Sequence, residues 1–98
     1  MSLHDELVDV TTLILGLRSE AEAAREWPSI LGRLRRLRDG IGRRRPEQRR
    51  SPALGASADW LHRALMDAPI ADELRAEALE VLTTIKAMVG PVQVKTSS

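Results

Sequence analysis

The sequence predicts an all-α fold, a small antiparallel bundle of about four helices with a basic loop between the second and the third. Three observations point there. Apolar residues recur at spacings of three and four along most of the chain. Strand signals are almost absent: there is no Phe or Tyr, and Val92-Gln93-Val94 is a lone candidate without a partner strand. Ser, Pro and Gly punctuate the chain where the periodic stretches begin and end.

The first helix begins with Ser2 as its N-cap. Asp5 stands three residues on, as in a capping box, and Glu6 adds favourable charge to the first turn. Leu3, Leu7, Val10, Ile14 and Leu17 form one face, which Ala21 and Ala24 extend, so the helix is expected to reach about Glu26. Gly16, in its interior, costs about 1 kcal/mol relative to Ala. Trp27-Pro28 reads as a boundary, because the residue before Pro avoids helical geometry while Pro suits a first turn. The second helix is therefore expected from Pro28, on a stripe of Ile30, Leu34, Leu37 and Ile41 widened by Leu31, with Gly40 and Gly42 ending it.

Residues 42–51 contain no apolar side chain and read as a polar, basic, flexible loop. Ser51-Pro52 then opens a third helix over about 52–67, carried by Leu54, Ala58, Leu61 and Leu65. Asp67-Ala68-Pro69 separates it from the fourth. There Ile70, Leu74, Ala78, Val81, Ile85 and Met88 make the stripe, Leu79, Leu82 and Val89 broaden it, and Gly90-Pro91 stops it. Residues 1–90 are expected to form one domain and 91–98 a short tail.

The net charge of +1 hides a strong segregation. Arg33–Arg50 holds nine arginines against Asp39 and Glu47, a local charge of +7, while the rest of the chain carries −6. Such polarity attracts an acidic partner or a polyanion, or pairs the chain with its own acidic helices or with those of a second copy. High-GC codon usage also raises Arg and Ala without selection for binding.

Several function classes are excluded. The chain has no Cys, hence no disulfide framework, thiolate metal site or thiol nucleophile. Gly16 interrupts the apolar run Leu13–Leu17 and Asp9 and Arg18 flank it, so no membrane partner is expected. Asp5 and Glu6 stand where a signal peptide is basic, which predicts a cytoplasmic protein. Gly40-Ile41-Gly42 starts like a dinucleotide fingerprint, but Arg45 occupies the third Gly position. Gly55-Ala56-Ser57 lacks the second Gly of a nucleophile elbow, since Asp59 stands there. Asp59 and His62, three apart on one helix, are the sole candidates for acid/base or metal chemistry, and an ordinary solvent-facing pair explains them. No catalytic residue, metal ligand or cofactor is assigned.

The candidate binding residues are Arg33, Arg36, Arg43, Arg44, Arg45, Arg49 and Arg50, since guanidinium binds carboxylate or phosphate bidentately and stays charged. Against a nucleic-acid role, no aromatic residue interleaves them and the sequence pI is 8.4. Trp27 and Trp60 are candidate interface or core anchors. Residues Leu54-Gly55-Ala56-Ser57-Ala58-Asp59-Trp60-Leu61-His62-Arg63-Ala64-Leu65 resemble the turn and recognition helix of bacterial helix-turn-helix repressors. The resemblance covers about a dozen residues, and Pro52 departs from it where the preceding helix has its last turn. It implies a break in the chain near Gly55.

The expected function is a non-catalytic protein–protein interaction module, an adaptor or small accessory subunit. It would bind another, acidic protein through amphipathic helix faces and the Arg-rich segment, with self-association through acidic and basic regions as a secondary expectation. The alternative is a nucleic-acid-binding regulator or antitoxin-like protein using Arg33–Arg50 on the phosphate backbone.

Overall fold

Three serines set three of the helix starts in the computed structural model, which describes residues 2–49 and 51–89. Ser2 accepts from the backbone N–H of Asp5 at 3.1 Å and opens α1, Leu3–Leu15. Ser19 accepts from the N–H of Glu22 at 3.1 Å and opens α2, Glu20–Gly42. Ser51 accepts from the N–H of Leu54 at 3.4 Å and opens α4, Pro52–Asp67. Between α2 and α4 lies the single turn α3, Pro46–Arg49, and the last helix is α5, Asp72–Val89. The all-α bundle stands as expected. The tail 91–98 lies outside the described residues.

The first boundary is corrected. α1 ends at Leu15, not near Glu26, and α2 runs unbroken through Trp27-Pro28. The reason is a competition between a cap and a proline. Ser19-x-x-Glu22 is a capping-box sequence, and its Glu22 carboxylate also accepts from the N–H of Arg18 at 2.7 Å. Pro28 removes the helical donor for the carbonyl of Ala24, but both residues lie on the exposed face, where the loss of one donor is cheapest. The opposite face is a continuous buried stripe, with Ala23 and Trp27 before the proline and Ile30, Leu34, Leu37 and Ile41 after it. Burying that stripe holds the helix together across Pro28. Ala21 and Ala24 are exposed, and Ala23 is the alanine in the core.

α1 packs on α2 and α4, and α5 packs on α2, α4 and α3, so the four long helices occupy the corners of a square in the order α1, α2, α5, α4. Their directions follow from contacts at one end. A Cβ built on Gly40 would lie 3.8 Å from Leu3, one on Gly42 3.8 Å from Met88 Sδ, and His4 Nδ1 is hydrogen-bonded to Ser57 Oγ at 2.8 Å. Lys86 also reaches Asp59 at 3.2 Å. That end therefore gathers the starts of α1 and α4 and the ends of α2 and α5. Each sequential hairpin, α1–α2 and α4–α5, is antiparallel as predicted. Between hairpins, however, α1 runs alongside α4 and α2 alongside α5 in the same direction. The chain crosses the bundle end diagonally from α2 to α4, and α3 is the piece that makes the crossing.

The core is aliphatic, with Leu7, Ile14, Leu34, Leu37, Leu61, Leu82 and Ile85 fully buried among the described residues. Thr11 is buried with them and donates its hydroxyl to the Leu7 carbonyl at 2.7 Å, so no orphan is left there. Two arginines finish the helix ends. Arg75 Nε donates to the Leu65 carbonyl at 3.0 Å and its Nη2 to the Ala68 carbonyl at 2.9 Å, which closes the end of α4. Arg49 does the same for α2.

Candidate functional site

The predicted flexible loop is an ordered crossing. α2 extends to Gly42, a turn carries Arg43–Arg45, and α3 folds back beneath it. Arg49 makes this shape. Its Nε donates to the carbonyls of Ile41 at 3.1 Å and Arg44 at 2.9 Å, and its Nη2 donates to that of Gly42 at 2.7 Å. The carbonyls of Ile41 and Gly42 end α2 and carry its negative pole, Ile41 also accepting from the N–H of Arg44 at 3.1 Å, and that of Arg44 lies in the turn beyond. The guanidinium assigned from sequence to a partner or phosphate is thus turned toward the protein's own backbone. Arg43, Arg44 and Arg45 remain exposed on the turn that Arg49 holds. Arg50 lies outside the described residues.

Arg33 and Arg36 are exposed on α2, one turn apart. They line a cleft of about 160 Å³ between α1 and α2, together with Glu6, Asp9, Val10 and Leu37. The antiparallel packing brings these two arginines to the acidic side of α1, which makes them partners of the chain's own carboxylates at longer range. The ion pairs among the described residues are Arg38–Asp39 at 3.2 Å, Arg75–Asp72 at 2.8 Å and Lys86–Asp59 at 3.2 Å, and none involves Arg33, Arg36 or Arg43–Arg45.

The outward line of α2 was not read from the sequence. Successive residues turn by 100° in a helix, so Arg25, Arg36 and Arg43, at intervals of eleven and seven, fall on one line facing solvent. The misplaced boundary at Pro28 hid it, because Arg25 was assigned to a different helix.

The two tryptophans part company. Trp27 is 4% exposed in the core, and its Nε1 is buried without a hydrogen-bond partner. Trp60 is 41% exposed on α4, and Met66 on the same helix and Leu13 and Leu15 on α1 are exposed too. Trp27 is a core anchor, and Trp60 is available at the surface.

Asp59 and His62 do not form the pair that their spacing suggests, since Asp59 turns to Lys86 on α5. Instead His4 meets Ser57. A hydroxyl and an imidazole at that distance are the first half of a nucleophile–base arrangement. Ser57 is buried, however, and among the described hydrogen bonds no third group orients the imidazole. The contact ties α1 to α4. Gly55 lies inside the first turns of α4 and marks no break, so the helix-turn-helix resemblance does not extend to the fold. Among the described residues no group of three or more His, Asp or Glu side chains is placed to hold a metal ion, and no helix is long and apolar enough to cross a membrane.

No protein-family profile matches the chain, and neither a curated protein nor a solved structure matches it significantly.

Proposed function

We propose that the protein is a non-catalytic interaction module, an adaptor or small accessory subunit, that docks an acidic protein partner in the cytoplasm. One observation carries the reading: Arg43, Arg44 and Arg45 stand exposed on a turn whose backbone Arg49 has already fixed. A preformed cationic turn loses less conformational entropy on binding than a flexible loop does. Carboxylates beside it, Glu47 on α3 and Asp39 on α2, oppose a continuous phosphate track but suit the mixed charge of a protein surface. A second reading, nucleic-acid binding, is favoured by the line of Arg25, Arg36 and Arg43 along a 23-residue helix, since phosphate contacts need only charge at regular intervals.

Fluorescence anisotropy separates the two, with labelled polyglutamate, duplex DNA and RNA as probes at low and near-physiological salt. The expected result is binding to polyglutamate that weakens with salt. The triple variant Arg43→Gln, Arg44→Gln, Arg45→Gln is expected to weaken it by about tenfold or more. Tighter binding to DNA or RNA, lost in the same variant, establishes the nucleic-acid reading instead. Failure to bind any of the three overturns both.

A further inference from the structure

The α2 and α5 helices lie side by side, run the same way and form one face of the bundle. Their solvent sides are opposite in charge. On α2, Arg25 and Arg35 are exposed on that side of the helix, around Gly32, whereas Arg36 turns to the cleft with α1. On α5, Glu73, Glu77 and Glu80 are exposed on the same side, with Thr84 and Ala87 beside them. The approach of Gly42 to Met88 sets the register between the two helices. Counting back from it at 1.5 Å per residue brings Glu73 to the level of residue 27 on α2, and Glu80 to the level of residue 34. Glu73 thus stands near the height of Arg25, and Glu80 near that of Arg35. Yet none of the ion pairs among the described residues uses Arg25, Arg35, Glu73, Glu77 or Glu80. These charges stand at matched heights, unpaired in their own chain.

We propose that this face binds a second copy of the chain across a two-fold axis parallel to the helices. The proposal rests on reading the Arg-rich helix as a protein-docking surface, and it names a partner. Such an axis keeps helix direction and lays α2 of one copy over α5 of the other, twice over. Arg25 then meets the partner copy's acidic ridge at Glu73, and Arg35 meets it at Glu80, at the same heights. The contact is isologous and closes on itself, so it gives a dimer and no filament. Gly32, Thr84 and Ala87 are small enough for the ridges to approach, and a Cβ on Gly32 would meet nothing within 4 Å. The face measures about 27 Å by 20 Å, so the pair buries roughly 1,100 Å², the low end for a specific interface. With charge at its centre, the dimer is weak and sensitive to salt.

Sedimentation velocity on the full chain tests this, at a low and a high salt concentration. The wild type is expected to dimerise at low salt, with affinity falling about tenfold or more by about 0.5 M NaCl. The variants Arg25→Glu/Arg35→Glu and Glu73→Lys/Glu80→Lys are each expected to be folded by circular dichroism and monomeric. Mixed one to one, they are expected to pair, because the two reversed ridges then meet each other and the two unreversed ridges meet each other, opposite in charge both times. A wild type that stays monomeric at high protein concentration and low salt overturns the proposal. So does a dimer indifferent to salt, or one that survives in either variant. A monomer that still binds polyglutamate through Arg43–Arg45 removes the second copy as partner and leaves the docking reading standing.

Discussion

Leu34→Ala is expected to destabilise the bundle by about 2–5 kcal/mol, the usual cost of truncating a fully buried leucine. Leu34 has no exposed surface and sits midway along α2, which packs on both α1 and α5. The cavity therefore opens between two hairpins and neither can collapse into it without leaving the other. Domains of this size have total stabilities of about 5–15 kcal/mol, so the loss is a large share of the whole. Thermal unfolding followed by circular dichroism is expected to show a midpoint lower by about 10 °C or more. Leu15→Ala, at an exposed site on α1, serves as the control and is expected to change stability by about 0.5 kcal/mol or less. Equal effects from the two substitutions would mean that the core is not where it is described.

The second large effect is expected at Arg75. Its guanidinium spans the carbonyls of Leu65 and Ala68 and so closes α4 against the start of α5. Arg75→Ala removes the guanidinium from the partly buried Leu65 carbonyl and leaves that of Ala68 with the Ile70 N–H alone, at 2.9 Å, at a cost of about 1–3 kcal/mol. Arg75→Lys keeps the charge but loses the planar fork that reaches both oxygens, and is expected to recover only a minor part. Asp72→Ala is expected to change little, because the Asp72 carboxylate is almost fully exposed and its ion pair with Arg75 is screened by water. Urea denaturation reads this directly: the midpoint falls in Arg75→Ala with the slope unchanged. A wild-type midpoint in Arg75→Ala would show that water replaces the guanidinium at no cost.

How much of this was legible in the sequence depended on whether the signal was local. α4 could be read at both ends because Ser51-Pro52 and Asp67-Ala68-Pro69 act on their own neighbours. The α5 stripe was legible for the same reason, from Leu74 to Val89, although the helix itself begins at Asp72 and leaves Ile70 buried ahead of it. The first boundary was misread for a physical reason. Pro28 is a strong local breaker, but the burial of Trp27 and Ile30 on the far side of α2 outweighs it, and only the packed structure shows that balance. The capping box at Ser19 and Glu22 was present in the sequence and was the better guide. Arg49 was beyond reach. Nothing in Arg-Pro-Glu-Gln-Arg says that the last guanidinium turns back onto α2, eight residues away. The meeting of His4 with Ser57 spans 53 residues and depends on two hairpins lying side by side. The alignment of Arg25 with Arg36 and Arg43 needed only the correct helix limits.

The contrast between the two tryptophans has an optical consequence. The chain has no tyrosine, so its aromatic emission is that of Trp27 and Trp60. Trp27, enclosed by aliphatic side chains, emits toward the blue and lies out of reach of an aqueous quencher such as iodide. Trp60 emits toward the red and is open to collision. One chain thus carries two natural chromophores with separate duties: the protected one follows the integrity of the interior, and the accessible one follows whatever comes to rest on α4.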